Sequence, residues 1–199
     1  MRRSPLALLL VVLAAAPLGA ADAPNRTAVA TFAGGCFWCM EAPFDALDGV
    51  TATTVGYTGG RTADPTYDAV SAGGTGHAES VQVTYDPSRV SYTTLLDVFW
   101  RNVDPTDAGG QFCDRGDQYR SAVFTHDAEQ QRLAEASRAE VAKRLGRTIA
   151  TAVVPATKFY PAEDYHQDYA KKNPIRYRFY RTTCGRDRRL KELWGTTSR

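Results

Sequence analysis

The stretch "GGCFWCMEAPFD", Gly34–Asp45, carries two cysteines three residues apart behind a pair of glycines. A β-branched and aromatic run at 29–32 precedes it and predicts a strand. Apolar residues then recur at helical spacing, at Phe37, Met40, Phe44 and Leu47. We therefore expect a strand that runs into a helix beginning at about Cys36, with Cys36 and Cys39 on one side of that helix.

Strand and helix patterns alternate along the rest of the chain. Further strands are predicted over 51–57, 77–85, 119–125 and 149–154. A single helical turn is predicted over 65–71, and helices over 92–101, 128–145, 161–171 and 188–194. Ser91 and Asp127 are suitable N-cap residues, and Gly146 can end the helix that Asp127 begins. This order predicts an α+β domain in which helices pack on a mixed or antiparallel sheet.

The strand within "HAESVQVTYD", residues 77–86, places a carboxyl group on its apolar face. Apolar residues alternate with polar ones, at Val81, Val83 and Tyr85. Extending the alternation backward puts Glu79 and His77 on the apolar side. Burial raises the pKa of a carboxyl group, so Glu79 can stay protonated near neutral pH and act as a general acid.

The chain begins with a pattern typical of a secretory signal peptide. Arg2 and Arg3 precede an apolar run at 6–16, and small residues lead to a predicted cleavage before Asp22. The apolar run is too short to span a membrane, so no membrane anchor is expected. We expect residues 1–21 to be a cleavable signal, residues 22–199 to form one domain, and the mature protein to be periplasmic or otherwise extracytoplasmic.

The charge of the chain argues against a polyanionic partner. The sequence has 24 basic and 22 acidic residues, and removing Arg2 and Arg3 with the signal leaves 22 of each, a net charge of zero. No nucleic-acid partner is therefore expected. Nothing in the pattern requires an oligomer, and a monomer is expected.

Four cysteines lie in the mature part, at Cys36, Cys39, Cys113 and Cys184. An even number in an exported chain can form structural disulfides, which would suit a secreted binding domain. A single Cys-x-x-Cys lacks the paired spacings of structural zinc, so no metal is expected. A strand that leads to Cys-x-x-Cys at a helix start is also the layout of a dithiol–disulfide oxidoreductase, here built on Cys36 and Cys39, and this is the alternative function.

Cys36 has the setting of a nucleophile. A thiolate at a helix N-terminus is stabilised by the free N–H groups there, which lower its pKa. The glycines before Cys36 allow a tight turn, and Phe37 and Trp38 supply apolar walls beside the sulfur. The stretch therefore predicts one reactive thiol beside an apolar pocket.

Five stretches together resemble the A-type peptide-methionine sulfoxide reductases over roughly residues 30–195. They are "GGCFWCMEAPFD" (34–45), "GYTGG" (56–60), "DPTYDAVSAGGTGHAESVQVTYD" (64–86), "DPTDAGGQFCDRGDQYRSAVF" (104–124) and "FYPAEDYHQDY" (159–169). The resemblance implies a two-layer α/β sandwich with a mixed, largely antiparallel sheet, a ferredoxin-like core and a long irregular C-terminal tail. It also implies reduction of methionine S-sulfoxide, free or in oxidised proteins, which is repair of oxidative damage.

The resemblance also implies a mechanism. Cys36 would attack the sulfoxide sulfur, and Glu79 would protonate the oxygen as the S–O bond breaks. Methionine would leave, and Cys36 would become a sulfenic acid that a second thiol converts to a disulfide. An external dithiol, thioredoxin or a thioredoxin-like protein, would then reduce the disulfide, with no metal or organic cofactor.

Other residues that match the family would surround this pair. Tyr67 and Tyr119 would hydrogen-bond the sulfoxide oxygen, and Asp114 would organise the polar side of the site. Phe37 and Trp38 would form the wall that holds the ε-methyl group of the substrate.

The identity of the resolving thiol stays open. Many family members have two cysteines in the tail, whereas this chain has Cys184 alone there. Cys184 is the first choice because basic residues surround it and favour its thiolate, at Arg181, Arg186, Arg188 and Arg189. Cys39 is the second choice and could instead receive the disulfide in a relay. Cys113, a loop cysteine beside Asp114, is the third candidate.

Overall fold

The computed structural model describes residues 27–195, so the predicted signal peptide lies outside the described residues. The strands are β1 (Ala28–Gly34), β2 (Val50–Thr58), β3 (Ala78–Tyr85), β4 (Gly110–Gln111), β5 (Asp114–Arg115), β6 (Ser121–Thr125), β7 (Ala152–Pro155) and β8 (Tyr160–Pro161). The helices are α1 (Phe37–Asp45), α2 (Tyr67–Ser71), α3 (Tyr92–Arg101), α4 (Ala128–Leu145), α5 (Tyr169–Lys172), α6 (Pro174–Thr183) and α7 (Arg186–Trp194). Among residues 27–195, no helix combines the length and apolarity needed to cross a membrane.

Six of the strands form one sheet in the order β7-β6-β1-β3-β2-β8. β6 and β7 are parallel, and the other neighbours are antiparallel. The chain runs β1-α1-β2-β3-α3-β6 through the four central strands, which is the ferredoxin-like βαββαβ succession. The predicted α+β class and the largely antiparallel mixed sheet are confirmed.

The hydrophobic core lies between this sheet and the helices α1, α3 and α4. Phe32 of β1 is fully buried and stacks on Phe44 of α1 and Phe99 of α3, with ring centroids 5.0 and 5.2 Å apart. Burial of such large apolar side chains is the main driving force for folding. The core therefore holds α1 firmly on the sheet.

Two helix starts are confirmed by their caps. The Ser91 hydroxyl accepts the backbone N–H of Thr94 at 3.1 Å, and the Asp127 carboxylate accepts that of Gln130 at 2.7 Å. Gly146 ends α4 in the left-handed conformation, with φ at +60°. These helix ends could be predicted from the local sequence because each cap satisfies backbone groups only a few residues away.

The helix predicted over 161–171 is wrong. Pro161 pairs with Gly56 of β2 as part of β8. The Gln167 amide binds both backbone groups of Val55, accepting its N–H at 2.9 Å and donating to its carbonyl at 2.9 Å. These contacts with β2 hold the segment extended, so only a 3-10 turn at Asp164–His166 and the short α5 are helical.

The C-terminal segment, expected to be a long irregular tail, is largely helical. Pro174 opens α6, where its missing N–H is not needed, and Gly185 turns the chain into α7 with φ at +71°. Arg186 of α7 is 1% exposed and donates to the carbonyl oxygens of Gly34 at 2.9 Å and Asn102 at 2.8 Å. Because Gly34 ends β1, these bonds tie the C-terminal segment to the start of α1.

Candidate active site

The register of the sheet brings the predicted site residues together at one end of the central strands. The last residues of β1 pair with the first residues of β3 and β6, because both pairs are antiparallel. Cys36 follows β1, Glu79 lies at the start of β3, and Tyr119 ends a 3-10 turn just before β6. Residues far apart in the chain are therefore neighbours here.

Cys36 is the N-cap residue of α1, as predicted. The turn before it needs a glycine, since Gly35 has φ at +81° and a Cβ there would lie 2.6 Å from the Gln111 side chain. Cys36 is only 6% exposed. Its sulfur is consequently reachable by a small group that fits the site, and a protein surface cannot approach it.

Glu79 lies directly against the start of α1. Its Oε2 accepts the backbone N–H of Phe37 at 3.0 Å, and its side chain is 2% exposed. Burial raises the pKa of Glu79 to about 8; the Phe37 N–H lowers it, and the charges of Asp114 and Cys39 raise it. The predicted burial on the apolar face is confirmed, and this carboxyl group holds a proton at neutral pH.

Cys36 and Cys39 form a hydrogen-bonded pair. Burial raises the pKa of Cys36 well above its ordinary value, and the hydrogen bond to Cys39 and the nearby negative groups raise it further. The pKa of Cys39 is lowered to about 6, chiefly because the Cys36 thiol donates to it, with help from the charges of Arg186 and Arg181. The negative charge of the pair therefore lies on Cys39, and the predicted low pKa of Cys36 is wrong.

Three polar residues face this pair. Burial raises the phenol pKa of Tyr67 and Tyr119, and the charge of Glu79 adds to the effect, so both hydroxyls keep their protons and can donate. Burial also raises the pKa of Asp114, whose Oδ2 accepts the Tyr180 hydroxyl at 2.5 Å. Tyr180 had no assigned role, because nothing local distinguishes it among the aromatic residues of a basic segment.

Glu163 fixes the position of two tyrosines. One carboxylate oxygen accepts the backbone N–H of Tyr67 at 2.8 Å, and the other accepts the Tyr57 hydroxyl at 2.9 Å. Glu163 was not predicted to be a site residue, although it lies within "FYPAEDYHQDY". It acts on the site through Tyr67, whose backbone it holds.

An aromatic wall stands beside the pair of thiols. The Trp38 indole N–H donates to His166 Nδ1 at 3.1 Å, and its ring stacks on Tyr169 with centroids 3.7 Å apart. Phe37 is fully buried, with its ring 5.0 Å from that of His166. His166 and Tyr169 therefore hold the Trp38 ring in one orientation.

Cys113 and Cys184 form a disulfide, with an S–S distance of 2.06 Å, and leave Cys36 and Cys39 as thiols. This pairing was not predicted from the sequence. Cys113 is exposed, and Cys184 Sγ lies 3.9 Å from Asp114 Oδ2. The disulfide therefore lies at the surface, beside the polar side of the site.

The arginines expected around Cys184 mostly bind elsewhere. Arg181 pairs with Asp187 at 2.6 Å, and Arg189 pairs with Asp104 at 2.7 Å. The Arg186 guanidinium lies under α1, 3.5 Å from the sulfur of Met40. Arg186 and Arg181 lower the pKa of Cys39, while Cys184 is held in a disulfide.

Fold and site together define a thiol-based oxidoreductase with an acid beside its sulfur. A dithiol exchanger acting on protein disulfides must present a sulfur at the surface. Cys36 and Cys39 are 6% and 1% exposed, which disfavours that alternative. The protonated Glu79 would also have no part in thiol exchange.

Comparison with known proteins narrows this class to a family. A family profile described as "Peptide methionine sulfoxide reductase" matches residues 28–198. The chain is 53% identical over 192 residues to "Peptide methionine sulfoxide reductase MsrA 2" of Caulobacter vibrioides, covering 94% of this chain and 97% of that protein. The chain belongs to the peptide methionine sulfoxide reductase family.

Solved structures agree with this family. Mxr1 from Saccharomyces cerevisiae in reduced form is similar with a TM-score of 0.73 and 36% identity, covering 77% of this chain and 89% of that one. Mxr1 in complex with Trx2 is similar with a TM-score of 0.53 and 28% identity, covering 77% and 91%. The likeness thus extends over most of both chains.

The distribution of charge in the thiol pair can be measured by ultraviolet thiolate absorbance. With the Cys113–Cys184 disulfide intact, we expect the protein to titrate with an apparent pKa of about 6. In Cys36→Ser the Cys39 thiol should also have a low pKa, because Arg186 and Arg181 remain and the serine hydroxyl can donate to it. Cys39→Ser should titrate well above the ordinary range of cysteine, because Cys36 is buried beside carboxyl groups. Identical titrations of the two variants would contradict the assignment.

Proposed function

We propose that this chain is a peptide-methionine (S)-S-oxide reductase, which reduces methionine S-sulfoxide, free or in oxidised proteins, to methionine. One observation carries the proposal: the buried Cys36 thiol and the buried Glu79 carboxyl, with its pKa of about 8, both lie against the first turn of α1. A sulfoxide oxygen leaves poorly until it is protonated, so the reaction needs an acid beside the nucleophile. The names of the relatives agree with this reaction.

Substrate binding uses the aromatic wall and the two tyrosines. Phe37 and Trp38 hold the ε-methyl group, and the Tyr67 and Tyr119 hydroxyls donate to the sulfoxide oxygen. Trp38 is fixed by His166 and Tyr169, so the methyl pocket cannot readily change shape. A rigid pocket of this kind accepts the methyl group of one epimer and excludes that of the other.

The chemical step begins with loss of the Cys36 proton. The Cys39 thiolate already accepts a hydrogen bond from this thiol and can take its proton. The Cys36 thiolate then attacks the sulfoxide sulfur, and the Glu79 proton passes to the oxygen. The oxygen ends on Cys36 as a sulfenic acid, and methionine leaves as the reduced product.

A second thiol then condenses with the sulfenic acid, forming a disulfide and water. Cys184 was the first choice, but its sulfur is bonded to Cys113, whereas Cys39 is in hydrogen-bond contact with Cys36. We therefore assign the first resolving step to Cys39. A thioredoxin-like dithiol is the external reductant, and the solved complex of the relative Mxr1 with Trx2 supports this class of partner.

Export remains part of the proposal. The basic start, apolar run and small residues at 1–21 support a cleavable signal peptide and a periplasmic or extracytoplasmic location. The exported chain is proposed to be a monomer. The mass of the exported chain checks this, since cleavage should leave Asp22 as the first residue. A mass that retains residues 1–21 would contradict it.

The reaction is tested with a peptide that contains both sulfoxide epimers of methionine, with dithiothreitol as reductant. We expect the S form to be converted fully and the R form to remain, because the methyl pocket is shaped for one epimer. Epimer-resolving chromatography measures both. Loss of the R form, or no loss at all, would overturn the proposed function.

The role of Glu79 predicts a pH dependence. Because the acid must be protonated and its pKa is about 8, the single-turnover rate should fall as pH rises through about 8. Glu79→Gln should lower the rate by about 10²–10⁴-fold and remove that fall. Glu135→Gln, on the surface of α4, is the matched control and should behave as the unmodified chain does. A Glu79→Gln enzyme with the original pH profile would exclude Glu79 as the acid.

A further inference from the structure

The side of α1 that carries Trp38 also carries two carboxyl groups. Glu41 and Asp45 follow Trp38 at helical spacing, so the three side chains lie along one side of the helix. This side faces α5 and the turn before it, where Trp38 stacks on Tyr169 and Asp45 pairs with Lys171 at 2.9 Å. Glu41 lies between these two contacts along the helix and is 1% exposed. The reaction steps described above give this buried carboxyl group no part.

Glu41 holds the turn from which α5 begins. Its Oε1 accepts the backbone N–H of Asp168 at 3.0 Å, across 127 residues of sequence. Asp168 is the N-cap residue of α5 and has φ at +55°, in the left-handed region. A residue with a side chain keeps such a conformation only where surrounding contacts hold it. The hydrogen bond from Glu41 is a contact of this kind, and it ties the turn directly to α1.

The turn carries both groups that hold Trp38. His166, two residues before Asp168, accepts the indole N–H at Nδ1, and Tyr169, immediately after Asp168, stacks on the indole ring. Accepting at Nδ1 requires a neutral imidazole, and burial lowers the pKa of His166, which keeps the ring neutral. A displacement of the turn would therefore disturb both contacts to Trp38 at once.

We propose that Glu41 is a positioning residue for recognition of the substrate's methyl group. By binding the Asp168 N–H it fixes the turn at 166–169, and through that turn it fixes Trp38. The proposal rests on the sulfoxide reduction proposed above, in which Trp38 is a wall of the methyl pocket. Because Glu41 acts through this wall, it affects substrate binding and the choice of epimer rather than the breaking of the S–O bond.

Glu41 can accept the Asp168 N–H in either protonation state. Burial raises the pKa of Glu41 to about 7, and the Asp168 N–H lowers it. The charges of Asp45 and Asp168 raise this pKa, and the charge of Lys171 lowers it. A neutral carboxyl group still has a carbonyl oxygen that accepts hydrogen bonds. Glu41→Gln therefore keeps the acceptor and the volume of the side chain, whereas Glu41→Leu has no acceptor.

Single-turnover kinetics test the role in substrate binding. The reduced chain is mixed with a peptide that contains methionine S-sulfoxide, and the peptide concentration is varied. Glu41→Leu should raise the concentration that gives half the maximal rate about tenfold or more, because a displaced wall no longer fits the methyl group. The maximal rate should change little, since Cys36 and Glu79 keep their positions. The R epimer should also begin to react.

Two matched variants serve as controls. Glu41→Gln should keep the half-maximal concentration of the unmodified chain, because its side-chain oxygen still accepts the N–H of Asp168. Lys171→Met removes an exposed cation that pairs with both Asp45 and Asp168, and it should also change little, because exposed ion pairs contribute little. A Glu41→Gln chain as impaired as Glu41→Leu would overturn the role of the acceptor.

The route through Trp38 is tested by a double-mutant cycle. Trp38→Leu removes the wall and should by itself raise the half-maximal concentration. In the Trp38→Leu background, Glu41→Leu should add little, because two residues that act through one contact have non-additive effects. The same fold-change from Glu41→Leu in both backgrounds would show that Glu41 does not act through Trp38, and it would overturn the proposal.

Hydrogen exchange of the Asp168 amide gives a test without any substitution. NMR of the unmodified chain should show this amide protected from exchange, because it is bonded to a buried acceptor. Glu41→Gln should retain the protection, and Glu41→Leu should lose it. An Asp168 amide that exchanges like those of exposed loops would overturn the proposal, even where Glu41→Leu fails to fold.

The outcomes separate this proposal from the proposed function. No methionine from the unmodified chain would mean that the proposed function is wrong. An active unmodified chain, together with a folded Glu41→Leu chain of the same half-maximal concentration and the same preference for the S epimer, would overturn the role of Glu41 alone.

Discussion

The buried guanidinium of Arg186 connects the fold of this chain to its redox chemistry. Removing a cation from water costs several kcal/mol unless other groups replace the solvent. Here the carbonyl oxygens of Gly34 and Asn102 accept its N–H groups, and its charge also stabilises the Cys39 thiolate. The same group therefore holds α7 against the start of α1 and sets the charge of the thiol pair. A C-terminal segment that detached would change both.

The protons of the site are distributed by burial and by neighbouring charge. Glu79 and Cys36 are both buried next to negative groups, and both keep their protons. Cys39 is equally buried, yet it receives a hydrogen bond and lies near two arginines, so it carries the negative charge. The acid is consequently ready to donate, and a base lies beside the nucleophile. Each group has the protonation state that its proposed part in the reaction requires.

Sequence patterns were sufficient where the controlling contacts are local or periodic. The caps at Ser91 and Asp127 bind backbone groups three residues away, and strand alternation alone placed Glu79 in the core. The segment after β8 could not be predicted in this way. Its conformation depends on Gln167 binding Val55, 112 residues earlier in the chain.

The same difference between local patterns and long-range contacts applies to the active site. The family resemblance identified residues, from Cys36 to Tyr119, that the structure brings together at one end of the central strands. It did not indicate Tyr180 or the buried position of Arg186. These residues lie on α6 and α7, and the sequence pattern predicted only one short helix in that part of the chain. The Cys113–Cys184 disulfide joins residues 71 apart, and spacing gives no connectivity for four cysteines.

Burial sets two requirements of the active site against each other. Glu79 keeps its proton near neutral pH because it is withdrawn from water, and Cys36 must lie beside it to use that proton. The same withdrawal keeps a protein reductant away from the Cys36 sulfur, which is 6% exposed. Opening the site would admit the reductant, but it would also solvate Glu79 and return its pKa toward that of an ordinary carboxyl group.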